Sequence, residues 1–110
     1  MTSQLQGTTK TAKSQLRDRI ISAYQRAQRI LMAASSATNP HATMVAYDKA
    51  RDHLRADIIR ACNLFPDTGA LLSWLLDDLP DDVLPEQDRA SLALIVRTMK
   101  QDTEDQRRAS

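Results

Sequence analysis

The stretch LRDRIISAYQRAQRILMAASSA, residues 16–37, places apolar side chains at Leu16, Ile20, Ala23, Ala27, Ile30, Ala34 and Ala37, alternating four and three residues apart. That spacing is the repeat of one face of an α-helix, and a strand, whose side chains change face at every residue, does not produce it. The seam predicts a first helix from about Thr11 to Ala37. Alanine dominates it, so the backbone of a neighbouring helix can approach closely. Ile21, Tyr24, Leu31 and Met32 fall beside the seam and widen the apolar arc beyond what one neighbour covers.

Reading towards the C-terminus, SSATNPH (35–41) breaks the pattern, with Asn39 as the predicted N-cap of a second helix and Pro40 at its first position, where a missing N–H is tolerated. This helix is expected to run to about Leu64. Met44, Tyr47, Leu54, Ile58, Ala61 and Phe65 form its inward face, while Asp48, Arg51, Asp52, Arg55, Asp57 and Arg60 decorate the rest. Pro66 stops it, and Asp67 or Thr68 caps a short third helix, ALLSWLLDDL (70–79), whose leucines and Trp74 cover nearly the whole circumference. After PDDVL (80–84), Pro85 opens a fourth helix whose run LALIV (92–96), followed by Met99, gives a broad buried face. The polar residues from Gln101 onward predict a frayed end.

These elements specify an all-α fold: a small four-helix bundle with a long antiparallel hairpin of helices 1 and 2, a short apolar helix 3, a helix 4, and flexible tails. The 110 residues suffice for one core, and the expected division is a tail over 1–11, a single helical domain over 12–104 and a frayed tail over 105–110. Hydrophobic residues at 42% and charged residues at 26% are globular proportions, and two glycines and four prolines are too few for the many turns of a β-sandwich or barrel.

A formal net charge of +1 gives no global field that would recruit nucleic acid or a membrane surface. The single cysteine, Cys62, cannot close an intrachain disulfide, which fits a reducing compartment. With no apolar leader in MTSQLQGTTKTAKSQ and no run of membrane-spanning length, the sequence predicts a soluble, cytoplasmic chain with no membrane partner.

For chemistry the inventory is thin. His53 and Asp57 stand four apart on one helix and could share a proton, but that spacing is the ordinary one for a surface hydrogen bond. No HExxH or CxxC brings ligands together, the EF-hand pattern and its turn glycine are absent, and the isolated Gly7 and Gly69 build no phosphate-cradling loop. The reading is a non-enzyme with no catalytic residues, no cofactor and no metal.

Two charged features remain. Asp77, Asp78, Asp81, Asp82, Glu86 and Asp88 crowd the junction between helices 3 and 4. Those at the start of helix 4 suit its dipole, whereas Asp77 and Asp78 at the end of helix 3 oppose it, which marks them as a candidate docking patch. Lys13, Arg17, Arg19, Arg26 and Arg29 make helix 1 basic, but on the wheel they flank the seam and do not form one stripe. Surplus apolar surface points to an interface. The expectation is a homodimer joined through Ile21, Tyr24, Leu31 and Met32 of helix 1 or Leu71, Trp74 and Leu75 of helix 3, with Asp77, Asp78, Asp81 and Asp82 meeting another protein. The function expected is that of a small regulatory protein that inhibits or escorts a partner, as anti-activators, inhibitors, adaptors and chaperones do. The alternative is a nucleic-acid-associated protein using basic helix 1.

Overall fold

In the computed structural model, which describes residues 11–36, 38–77 and 79–109, four α-helices follow one another: α1 Ala12–Ala33, α2 Pro40–Leu64, α3 Thr68–Leu76 and α4 Glu86–Ala109. No strand occurs among the described residues. The all-α four-helix architecture read from the sequence is therefore the fold. The first three helix starts each have a side-chain cap. Thr11 Oγ1 accepts from the Ser14 amide at 3.0 Å, Asn39 Oδ1 from Ala42 at 3.1 Å, and Asp67 Oδ2 from Ala70 at 3.0 Å, each satisfying an amide that lacks a partner in the first turn.

Helix ends differ from the sequence reading in three places. The first helix ends at Ala33 and tightens into a 3-10 turn over Ala34–Ser36. Here the Ala34 amide bonds back to Leu31 O, and Ser36 Oγ donates to Ala33 O at 3.2 Å, so a serine hydroxyl takes a carbonyl the helix would have used. Ala37, the expected last residue, lies outside the described residues. The third helix stops at Leu76, because Asp77 adopts extended backbone (φ −69°, ψ 150°) and accepts a hydrogen bond from Ser73 Oγ. The fourth helix does not fray after Gln101 or 105 but continues to Ala109. Contacts four residues apart hold its polar end: Lys100 Nζ with Glu104 at 3.6 Å, and Gln101 Nε2 donating to Asp105 at 3.1 Å. Arg107 also reaches Asn63 Oδ1 at 3.0 Å.

The two long helices form the antiparallel hairpin, tied early on α1 and late on α2 by Arg19 and Asp57. Its base is where the chain packs. Phe65, at the end of α2, meets Trp74 of α3 with ring centroids 4.8 Å apart, and Lys13 Nζ lies 5.0 Å from the Phe65 centroid, so the aromatic pair that docks α3 also ties the start of α1 to the end of α2. Helix α4 starts at the middle of α1, where Asp88 accepts from Tyr24 Oη at 3.3 Å, and ends beside Asn63 of α2. It therefore runs away from the hairpin's tip.

The core follows from that course. Leu16, Ile20, Ile21 and Tyr24 of α1 close on Leu54, Ile58, Ala61 and Cys62 of α2, on Leu71 and Leu75 of α3, on Leu84 of the linker, and on Leu92 and Val96 of α4. The last buried residue of α1 is Ala27 and the first of α2 is Ala50. Among the described residues of 28–49 none is buried, so the far half of the hairpin stands as a two-helix arm.

Candidate interaction surfaces

The arm carries its apolar stripe past the point where α4 covers it. On α1, Leu31 lies about three turns beyond Ile20 on nearly the same line, and on α2, Met44 precedes Cys62 by about five turns on the same line. Ile20 and Cys62 are interior; Leu31 and Met44 are 51% and 54% exposed. Met32 at 80% and Val45 at 50% are also exposed but point elsewhere, Met32 about 100° round from Leu31 and Val45 on the side of α2 opposite Leu54. Met44 is a correction to the inward face expected of α2. Its period is right, but a period does not show that the covering helix turns away before reaching it. Where the arm leaves α4, a groove of about 480 Å³ opens between Tyr24, Gln28, Tyr47, Leu54, Ile95 and Met99.

Other residues proposed for contact have a different place. Ile21, Tyr24, Leu71 and Leu75 are buried in the chain's own core, which corrects the expectation that they face a partner. The surplus inferred for helices 1 and 3 is largely consumed by α4 and by packing of α3 against the base. Trp74 is half-buried against Phe65. Leu31 and Met32 are thus the members of that set left facing outward.

The acidic junction divides by role. Asp77 terminates α3, Asp81 pairs with Arg89, and Asp88 accepts the Tyr24 hydroxyl proton. Arg89 is the organiser: its Nε donates to Leu84 O at 2.9 Å and its Nη2 to Leu79 O at 2.8 Å, fixing the linker that seats Leu84 in the core. Asp82 and Glu86 are exposed. Asp78 lies outside the described residues.

A charged cluster that helix-by-helix reading missed forms across the hairpin. Arg19, Arg26 and Asp18 of α1 and His53, Asp57 and Arg60 of α2 line one groove of about 520 Å³, with Ser22, Ala23, Ala50 and Ala56 between them. Within it Asp57, placed on the solvent side by the sequence reading, is buried and accepts from Arg19 at 3.4 Å and Arg60 at 3.0 Å. The carboxylate thus pairs with two guanidiniums, and both arginines remain more than half exposed. The signal was present only as the pairing of two helices, which no single-helix wheel displays.

Two buried groups link this packing to pH. Burial pushes the Cys62 thiol above its ordinary range, with Glu104 adding and Lys100 and Arg107 opposing. Burial likewise raises the Tyr24 phenol; hydrogen bonds with Ser91 and Gln28 oppose the rise, and Asp88 adds to it. Each group holds its proton more tightly folded than unfolded, so the unfolded chain ionises first as pH rises. Stability is full below the unfolded values and falls through the alkaline range, from about pH 9 upward. Melting curves recorded against pH should show that decline, with a smaller slope in Tyr24→Phe and Cys62→Ala; equal slopes in all three proteins would contradict the assignment.

Among the described residues, no three His, Cys, Asp or Glu side chains converge to hold a metal, and no helix is long and apolar enough to cross a membrane. No protein-family model, curated protein or solved structure shows a significant match to this chain.

Proposed function

We propose that this chain is a non-enzymatic, cytoplasmic regulatory protein that works by binding protein, inhibiting or escorting its partner. The observation that carries the reading is the arm: Leu31 and Met44, in line with the core residues Ile20 and Cys62, stand exposed on the half of the hairpin that the core does not reach. Aliphatic side chains gathered at the end of a projecting hairpin leave water favourably when a complementary surface covers them, at roughly 25 cal/mol per Å². The exposed Asp82 and Glu86, in the junction that meets the middle of α1, supply charge that would orient a basic partner. Lone, buried Cys62 is compatible with a reducing compartment.

The groove with Arg19, Arg26 and Arg60 gives the nucleic-acid alternative its own footing, since three guanidiniums near one floor can engage phosphates. One experiment separates the two. Tagged protein is used to capture partners from its own organism, with and without nuclease, as wild type, as Leu31→Asp with Met44→Asp, and as Arg19→Gln with Arg26→Gln. The protein-binding reading expects a stoichiometric, nuclease-resistant protein lost only in the arm variant. Nuclease-sensitive recovery lost only in the arginine variant would replace it with the alternative.

A further inference from the structure

We infer that the groove between α1 and α2 that holds Arg19, Arg26 and His53 is a binding site for a terminal phosphate, either the free ion or a small phosphate monoester. The site lies away from the exposed stripe of the arm and goes beyond the protein-binding reading.

The groove is lined by α1 and α2 alone. Ile20, Ile21 and Tyr24 turn α1 into the core, while Arg19, Ser22, Ala23 and Arg26 follow the helix repeat along another side of it. On α2 the matching line is Ala50, His53, Asp57 and Arg60. The contact of Arg19 with Asp57 sets the register of the antiparallel pair. Arg26 lies seven residues towards the tip on α1, about 10 Å of helix, and so stands across from Ala50, with His53 across from Ala23 between the two ends. The side chains in between are a serine and three alanines. The space of about 520 Å³ is therefore left by small residues and bordered by long donors.

Those donors select an oxyanion. Asp57 takes one N–H from Arg19 and one from Arg60, both at Oδ1, at 3.4 and 3.0 Å. A guanidinium presents five N–H donors in a fixed fork, so both arginines keep donors for a ligand, and each side chain is more than half exposed. The buried carboxylate thus holds two forks at one end of the groove. Arg26 and His53 are exposed and enter no hydrogen bond or ion pair with another described residue, so their donors are uncommitted. Three guanidiniums stand against Asp18 and Asp57, and the unbalanced one is Arg26. A terminal phosphate brings three acceptor oxygens to donors arriving from two helices. A phosphodiester chain fits the place less well: Arg29, the next arginine of α1, lies in a different groove beside Asp88, so no basic stripe leads a long polyanion onward.

The test is a titration of the full chain at fixed ionic strength, followed by two-dimensional NMR, with sodium phosphate, glycerol phosphate and a short thymidine oligonucleotide as probes. Wild type is compared with Arg26→Gln, His53→Gln and the control Arg51→Gln, which removes the same charge from α2 in the groove beside Tyr47. Each of these side chains is exposed, so the amide spectra should keep the pattern of the folded chain. The expected result is saturable shifts at Ser22, Ala23, Ala50 and His53 with both phosphate probes, at a dissociation constant of about 1 mM or below. Arg26→Gln should raise that constant at least about tenfold, His53→Gln should raise it less, and Arg51→Gln should leave it unchanged. Tighter glycerol phosphate marks a monoester as the ligand, and equal or tighter sodium phosphate marks the free ion. Shifts that grow without saturating, a constant that Arg26→Gln leaves unchanged, or an equal loss in Arg51→Gln would overturn the site. An oligonucleotide that shifts these residues at lower concentration than either phosphate probe would overturn it in favour of nucleic acid.

Discussion

Shortening Leu75 to alanine is expected to lower the unfolding free energy by about 3 kcal/mol, and the melting temperature by roughly 15 °C. Leu75 is fully buried, with Leu71 beside it, on a helix of nine residues. A helix so short does not persist on its own, so α3 exists because its leucines dock on the hairpin base. The substitution removes the transfer energy of the lost methyl groups and leaves a cavity walled by two long helices that cannot collapse into it. Leu94→Ala makes the same chemical change on an exposed site and should stay within about 0.5 kcal/mol of wild type. Denaturant titration of the two variants checks the contrast. Equal effects would mean that α3 is not part of the cooperative core.

The second large effect is expected at Arg89, whose guanidinium holds the backbone that seats a core leucine. Its three recorded partners are Leu84 O, Leu79 O and Asp81. Arg89→Ala leaves two carbonyls without their charged donor and frees the linker that holds Leu84 in the core. The loss is expected to be about 2–3 kcal/mol. Lysine should recover little of it, because a single ammonium cannot bond both carbonyls and the carboxylate with the geometry of the planar fork. Denaturation of Arg89→Ala and Arg89→Lys measures the loss directly, and a lysine variant as stable as wild type would show that charge alone, and not the fork, does the holding.

Arg89 also shows where sequence reading stops. The four helices were legible because their causes are local: the alternation from Leu16 to Ala37, Asn39 before Pro40, Pro66 before Asp67, and carboxylates ahead of α4. What an arginine eight residues past Asp81 does depends on the path of the linker, which no periodicity records. The same limit governs the candidate site. Leu31 and Met32 were identified as surplus apolar surface and are exposed; Ile21, Tyr24, Leu71 and Leu75 were identified on the same grounds and are buried. Composition counts apolar residues on a helix face, but the direction of α4 decides which of them the chain covers. Met44 joins the exposed stripe for that reason, and Arg60 joins Arg19 and Arg26 only once the hairpin is closed.

The core ends near Ala27 and Ala50, and the arm beyond it is open in the single chain. Amide hydrogen exchange followed residue by residue reads that boundary. Residues 54–62 and 92–100 should exchange slowest, and residues 28–36 and 41–49 markedly faster. Arm amides as slow as those of the base would contradict an open arm.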